Sequence, residues 1–236
     1  RELLRKNRRR VSQELGDAER RKFFSPSAYG EYQEGVQTIP EYAYGKLIDI
    51  GCGNMPYKDI LPDKVTQYDT FDIERRVPEV KFVGDIQNMD MIKDGSYDSA
   101  ICIEVLEHVQ NPFKAISEVY RILKQDGTLI LSIPHLCRLH EEPYDFYRYT
   151  KYGIKFLLEN AGFEVLKITP RGGIFCFLGH QFSTIFVCLF WHIPILKQLA
   201  FLANKWLCVK PCYLLDKIFD KNKLFALGYT CIAKKK

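Results

Sequence analysis

Short apolar runs alternate along this chain with stretches whose apolar residues recur every three or four positions. Lys46–Ile50, Gln67–Phe71, Val80–Val83 and Ser99–Ile103 are brief and apolar and read as strands, as does Gly127–Ile133, which ends at Pro134. Between the last two, Phe113, Ile116, Val119, Tyr120 and Leu123 fall at helical spacing. They predict a helix over Pro112–Leu123, with Asn111 as its cap and proline in the first position. Tyr152–Asn160 predicts a second helix stopped near Gly162, Phe163–Ile168 a further strand, and Ala226–Ala233 a last, alternating one. Residues 23–45, rich in Tyr, Gly and Pro, read as irregular. Strands alternating with helices predict a mostly parallel sheet with helices on both faces.

One stretch breaks this rhythm. Ile174–Leu196 carries no charged residue, and an amphipathic pattern continues to Leu215, so an insert over 174–224 precedes the last strand. Twenty-three uncharged residues are long enough to span a bilayer. Gly179, His180, Gln181, Ser183, Thr184, His192 and Pro194 interrupt them, however, and the last strand must return to the sheet that the chain left. Three readings stay open: a helical lid over an acceptor pocket, a peripheral membrane patch through 174–196, or a dimer surface.

A chain of 236 residues with 47% hydrophobic and 27% charged positions can bury one full core with an appendage. The eight cysteines contain no C-x-x-C pair and several sit in apolar runs, which predicts buried free thiols rather than disulfides or zinc. No secretory signal pattern opens the sequence, which points to the cytoplasm, with the inner membrane face as the peripheral location if the patch reading holds. Residues 1–22 carry nine Lys/Arg against four acids, the whole net charge of +5. The chain beyond residue 22 is neutral by the same count, and the sequence predicts a basic arm and cap over 1–40 followed by a body over 41–236. Such an arm suits phosphate of nucleic acid or membrane, but a neutral body argues against a nucleic-acid enzyme.

Leu47-Ile48-Asp49-Ile50-Gly51-Cys52-Gly53-Asn54 is a strand entering a tight glycine turn. Glycines there permit positive φ and a close ligand approach. Asp72 ends the next strand 21 residues beyond Gly51, where an acid can accept from ribose hydroxyls, and Asp85-Ile86 follows the third strand. A nicotinamide fingerprint would need glycine at Pro56.

"LIDIGCGN", "FDIE", "VGDIQN", "YDSAICIEVLEHV" and "AISEVYRILKQDGTLILSIP" resemble, in order and spacing, the motifs of class I S-adenosylmethionine methyltransferases, those of the ubiquinone pathway included. The resemblance covers about residues 40–170. It implies a Rossmann-like, seven-stranded mixed α/β sheet of order 3-2-1-4-5-7-6, the last strand antiparallel. It also implies S-adenosyl-L-methionine as cofactor, with the loop (Asp49, Gly51, Cys52, Gly53) around its methionine part. Asp72 with Ile73 would hold the ribose, Asp85 with Ile86 the adenine, and Ile103 and Glu104 would lie beside the cofactor. Met55 replaces a frequent third glycine and Pro56 follows, so a short or irregular first helix is expected.

Methyl transfer to a hydroxyl or amine needs a positioned acceptor and a proton acceptor. Glu104-Val105-Leu106-Glu107-His108 lies where such a sheet places ligands. On a helical turn Glu104, Glu107 and His108 would share a face. His108 and Glu107 read as base machinery, as hydrogen-bonded framework, or, with Glu104 and His135, as ligands of a divalent ion such as Mg2+. The last pattern resembles the metal site of ubiquinone-pathway and small-RNA O-methyltransferases, yet E-V-L-E-H also occurs in metal-independent relatives, so metal is not favoured. In the polar loop 135–150, His140, Tyr144 and Arg148 read as acceptor contacts, and Thr150 as a helix cap. The expected activity is methyl transfer to O or N of a small-molecule, glycan or lipid-linked acceptor. The alternatives are a membrane-docked or partner-binding module on this scaffold, and an RNA methyltransferase.

Overall fold

The computed structural model describes residues 21–236, so the basic arm up to Arg20 lies outside the described residues. Two compact units divide the chain: Gly35–Thr169 with Tyr229–Lys236, and the residues up to Glu34 with Pro170–Gly228.

The first of these holds the sheet. Its strands are β1 (Gly45–Ile50), β2 (Val65–Asp72), β3 (Phe82–Val83), β4 (Tyr97–Ile103), β5 (Leu123–Pro134), β6 (Phe163–Arg171) and β7 (Gly228–Lys235). They run in the order β3-β2-β1-β4-β5-β7-β6, with β7 antiparallel to β5, as the resemblance implied. The central strands β1, β4 and β5 pair in parallel, Ile48 opposite Ala100 and Ala100 opposite Leu129. Leu47, Ile48, Ile101, Cys102, Leu129 and Ile130 are all fully buried, because both faces of these strands are covered. That is why they read as unbroken apolar runs rather than alternating ones. Along β2 burial increases towards its carboxyl end, which leaves Asp72 almost wholly enclosed.

Helix α1 (Pro26–Glu34) and the one-turn α2 (Ile39–Tyr42), with a 3-10 turn between them, correct the irregular reading of 23–45. The Ser25 hydroxyl accepts from Ala28 N at 3.2 Å and proline stands first in α1. Gly30 lets α1 approach another backbone closely, a Cβ there coming within 3.3 Å of Gly172 N. Packing thus overrides weak local propensity. Helix α3 (Pro112–Ile122) starts as predicted, with Asn111 Oδ1 accepting from Lys114 N at 3.1 Å. Its stripe of Ala115, Ile116, Val119 and Ile122 is buried. Helix α4 (Lys151–Asn160) is capped by Thr150, whose hydroxyl accepts from Gly153 N at 3.0 Å. After Met55 there is only a 3-10 turn at Lys58–Ile60, the short element expected there.

The second unit is helical: α1, α5 (Ile174–Phe190), α6 (Pro194–Ala203), a π-helical turn at Asn204–Val209, and α7 (Lys210–Phe219). The first amides of α5 are capped by carboxylates from the end of α7. Ile174 N donates to Asp220 at 2.8 Å, while Phe175 N and Cys176 N donate to Asp216 at 2.8 and 3.0 Å. Among the described residues, no helix is long and apolar enough to cross a membrane. All eight cysteines are free, and Cys52, Cys102, Cys176, Cys188 and Cys231 are buried.

Candidate active site

The carboxyl ends of β1, β2 and β4 meet at the glycine turn. Gly51 N and Cys52 N both donate to Phe71 O, at 2.8 and 3.2 Å, folding the turn over the end of β2. Gly53 N then donates to Asp72 Oδ2 at 2.8 Å, and Asp72 Oδ1 accepts from Glu74 N at 3.3 Å. Gly51 and Gly53 have φ of 74° and 54°, values that favour glycine. They are glycine for different further reasons. A Cβ on Gly51 would run into Val105 Cγ2, whereas one on Gly53 would meet nothing within 4 Å. The open space at Gly53, beside a donor amide and a buried acid, fits the cradle of a cofactor.

Asp49 lies beneath the turn and is buried, with Tyr68 Oη donating to its Oδ2 at 2.6 Å. Burial pushes its carboxyl up to about 7; the Tyr68 bond opposes this and the Asp72 charge adds to it. Burial likewise raises the Cys52 thiol to about 12, so it stays a neutral wall of the loop. Ile73 is 64% exposed next to Asp72. Asp85 closes its own turn, accepting from Gln87 N and Nε2 at 2.8 Å, and Ile86 and Ile103 are buried beside their strands.

Val105, which backs Gly51, leads directly into the second cluster. Leu106–His108 forms a 3-10 turn that buries Glu107 completely. His108 Nε2 and His140 Nε2 approach Glu107 Oε1 at 3.6 and 3.5 Å, and the two imidazoles stand edge to face with centroids 4.9 Å apart. His108 Nδ1 lies 2.7 Å from Tyr144 O, a pure acceptor, so the Nδ1 proton points there and Nε2 faces the carboxylate. Burial raises the Glu107 carboxyl above its usual range, which the His140 bond offsets only in part. Burial opposes charge on His140, but Glu107 and then Asp145 outweigh it and raise that ring's pKa.

This arrangement revises several expectations. Glu104 has φ of 55° and precedes the 3-10 turn, so it does not share a face with Glu107 and His108. The residues whose ligand atoms lie within 4.8 Å of one another are Glu107, His108 and His140, not the set with Glu104 and His135. His135 packs instead on Tyr229, with centroids 5.5 Å apart. Arg148 is not free to contact an acceptor. Its guanidinium is bidentate to Asp145 at 2.6 and 2.7 Å and also donates to Arg138 O at 3.0 Å. Tyr144 serves through its carbonyl, while its side chain is 63% exposed. Two participants were missed. Asp145, which accepts from His140 N at 2.8 Å, was signalled by its i,i+3 spacing to Arg148, whereas Tyr68 reaches Asp49 only through strand register.

Comparison with known proteins gives the family and the fold. The profile of the family described as "Methyltransferase domain" matches residues 1–168. An uncharacterized protein of Methanocaldococcus jannaschii is 34% identical over 91 residues, 37% of this chain and 40% of that one. The ubiquinone biosynthesis O-methyltransferase of Xanthomonas euvesicatoria is 29% identical over 112 residues, 42% of this chain and 47% of that one. The chain thus spans less than half the length of these curated relatives. The crystal structure of a SAM-dependent methyltransferase from Archaeoglobus fulgidus shares the fold, with a TM-score of 0.56 and 17% identity over 89% of this chain and 95% of that one. The [4+2]-cyclase SpnF does so with a TM-score of 0.57 and 17% identity over 85% and 79%, a reminder that this fold alone does not name a reaction. The family profile covers most of the chain, and the chain belongs to the methyltransferase-domain family, on the class I S-adenosylmethionine-dependent scaffold.

Proposed function

We propose that this chain methylates a hydroxyl oxygen of a small or lipid-carried acceptor, using S-adenosylmethionine. One observation carries the oxygen reading: two imidazole Nε2 atoms converge on a buried carboxylate, two residues past the valine that backs the cofactor turn. The curated relatives named as O-methyltransferases support it. S-adenosylmethionine supplies an electrophilic methyl on a sulfonium with a good leaving group. The turn backbone at Gly51–Gly53, with its open space at Gly53, Asp72 and the wall formed by Cys52 would hold it.

The remaining work belongs to the chain. A hydroxyl is a poor nucleophile until its proton has somewhere to go. His140 Nε2 is the acceptor of that proton. Glu107, desolvated and 3.5 Å away, stabilises the charged ring that results, and Asp145 orients it from the Nδ1 side at 3.5 Å. Arg148 locks Asp145 in turn, so the loop residues act as a positioning chain.

A second reading has its own support. Two imidazole nitrogens and one carboxylate oxygen facing inward, with His108 Nδ1 bonded outward to a carbonyl, also suit a divalent cation. Glu107, His108 and His140 would hold it, and it would lower the pKa of a bound hydroxyl. One set of assays separates the two. Calorimetry should show binding of S-adenosylhomocysteine, and a panel of phenolic, quinol and glycan hydroxyls should yield it as product. His140→Ala should lower kcat by about 10²–10⁴ with cofactor affinity unchanged. Activity that survives EDTA supports the imidazole base, whereas loss restored by Mg2+ or Mn2+ supports the ion. Absence of cofactor binding by the folded chain overturns both.

A further inference from the structure

Helix α5 is inside out. A helix at a water-facing surface turns its large apolar residues inward. Here Leu178, Phe182, Ile185, Phe186 and Leu189, spaced along one face, are exposed, Phe182 at 73%. The opposite, buried face carries Gly179, His180, Ser183 and Thr184 together with the smaller apolar Cys176, Val187 and Cys188. That face packs within its own unit. Ser183 Oγ donates to Phe24 O at 3.0 Å, and a Cβ on Gly179 would come within 2.5 Å of Cys212 Sγ. The orientation is therefore held by packing. Among the described residues nothing covers the apolar face, and the same unit also exposes Leu199 and Leu207, the latter at 80%.

Charge indicates what does cover it. Residues 170–228 contain seven Lys/Arg and two acids, Asp216 and Asp220, and both carboxylates are bonded to the amides of α5. The cations cluster on tryptophan: Lys210 Nζ lies 3.8 Å and Lys205 Nζ 5.3 Å from the Trp206 ring, and Lys197 Nζ 5.6 Å from the Trp191 ring. Apolar helix faces rimmed by lysine and tryptophan are the composition of an interfacial belt. A second copy would bring the same excess of positive charge to the contact and oppose it. A 17-residue helix is about 25 Å long, shorter than the bilayer core, so it suits lying in the interface rather than spanning it.

We propose that the exposed apolar face of α5 (Phe182, Ile185 and Leu189), together with the exposed Leu207 and with Lys205 and Lys210 of the same unit, docks this unit in the interface of an anionic lipid bilayer. The full chain should co-float with phosphatidylcholine vesicles containing 30% phosphatidylglycerol and much less with phosphatidylcholine alone. Brominated lipid should quench Trp206. Phe182→Glu should reduce partitioning at least about tenfold, since it puts a charge where an exposed aromatic would enter the lipid. Lys205→Gln and Lys210→Gln should each reduce it about fivefold at low salt. All three positions belong to the helical unit and not to the unit that contains the glycine turn, so S-adenosylhomocysteine affinity and melting temperature should not move, which shows that the variants are folded. No partitioning overturns the proposal, as does equal partitioning into neutral and anionic vesicles. A concentration-dependent dimer that Phe182→Glu dissociates, without vesicle binding, would assign the face to a second copy instead.

Discussion

Two glycines two residues apart allow a sharp test of the cofactor cradle, because alanine should harm them in opposite ways. Both have positive φ, so an L side chain costs about 1–2 kcal/mol at either position. At Gly51 the new methyl also collides with Val105 Cγ2, and overpacking of this kind adds about 1–3 kcal/mol. At Gly53 the methyl enters open space, so nothing is added. Gly51→Ala should therefore destabilise the folded chain by about 2–5 kcal/mol and Gly53→Ala by about 1–2 kcal/mol, read from urea midpoints at constant slope. Binding should rank the other way per unit of stability lost. If the space at Gly53 is where the cofactor lies, its methyl should weaken S-adenosylhomocysteine at least about tenfold, roughly 1.4 kcal/mol, while the protein stays folded. The collision at Gly51 can be isolated by the Val105→Ala background, in which the cycle should return about 1–3 kcal/mol of favourable coupling. A Gly53→Ala protein that binds S-adenosylhomocysteine within twofold of the parent refutes the cradle. A cycle with no coupling refutes the steric account of Gly51.

Three further outcomes follow from named contacts. The Asp49 pKa is raised in the fold from 3.8 to about 7, so the native state holds a proton that the unfolded chain has released. Stability therefore falls as pH rises between these values, and Asp49→Asn should flatten that fall and stabilise the cofactor-free protein above pH 7 by up to about 4 kcal/mol, measured by urea unfolding across pH 4–8. Asp216→Ala strips two amides at the start of α5 of their charged acceptor and should cost about 3 kcal/mol, with loss of α5 protection in hydrogen exchange. Asn111→Ala removes a single exposed cap and should cost only about 1 kcal/mol in the same assay, leaving cofactor binding unchanged.

The sheet was legible because its central strands are buried on both sides and their apolar runs need no register to be recognised. The caps at Asn111 and Thr150 were legible because capping is local: a polar side chain, three residues and an amide. Helix α1 was not, since what holds Tyr- and Gly-rich residues in a helix there is the approach of Gly30 to Gly172, far away in sequence. The same division runs through the site. Glu107, His108 and His140 could each be picked out by residue type, and Asp72 at its strand end by spacing. Their grouping could not, because Glu104 N is bonded to Ser132 O at 2.9 Å and this cross-strand contact accompanies the left-handed bend that removes Glu104 from the turn. Strand register similarly decides that Tyr68, not a neighbour, meets Asp49.

The backbone itself marks the edge of the sheet at which the chemistry belongs. Among the described residues, Met55, Glu104, Asp126, Glu141 and Lys223 are the non-glycines with positive φ. Three of these five follow the carboxyl ends of β1, β4 and β5, in the same turns as the glycine loop, the Glu107 turn and the His140 loop. Each costs of order 1–3 kcal/mol and persists only where surrounding bonds over-determine it. Those bonds are present: Met55 N to Cys52 O at 2.7 Å, Glu104 N to Ser132 O at 2.9 Å, and Tyr144 N to Glu141 O at 3.0 Å. A fold selected for stability alone would place glycine or asparagine at such positions. Met55 and Glu104 stand there instead, in the turns that carry the proposed site. The cofactor turn and the Glu107–His140 cluster are then two parts of one strained rim, joined through Val105.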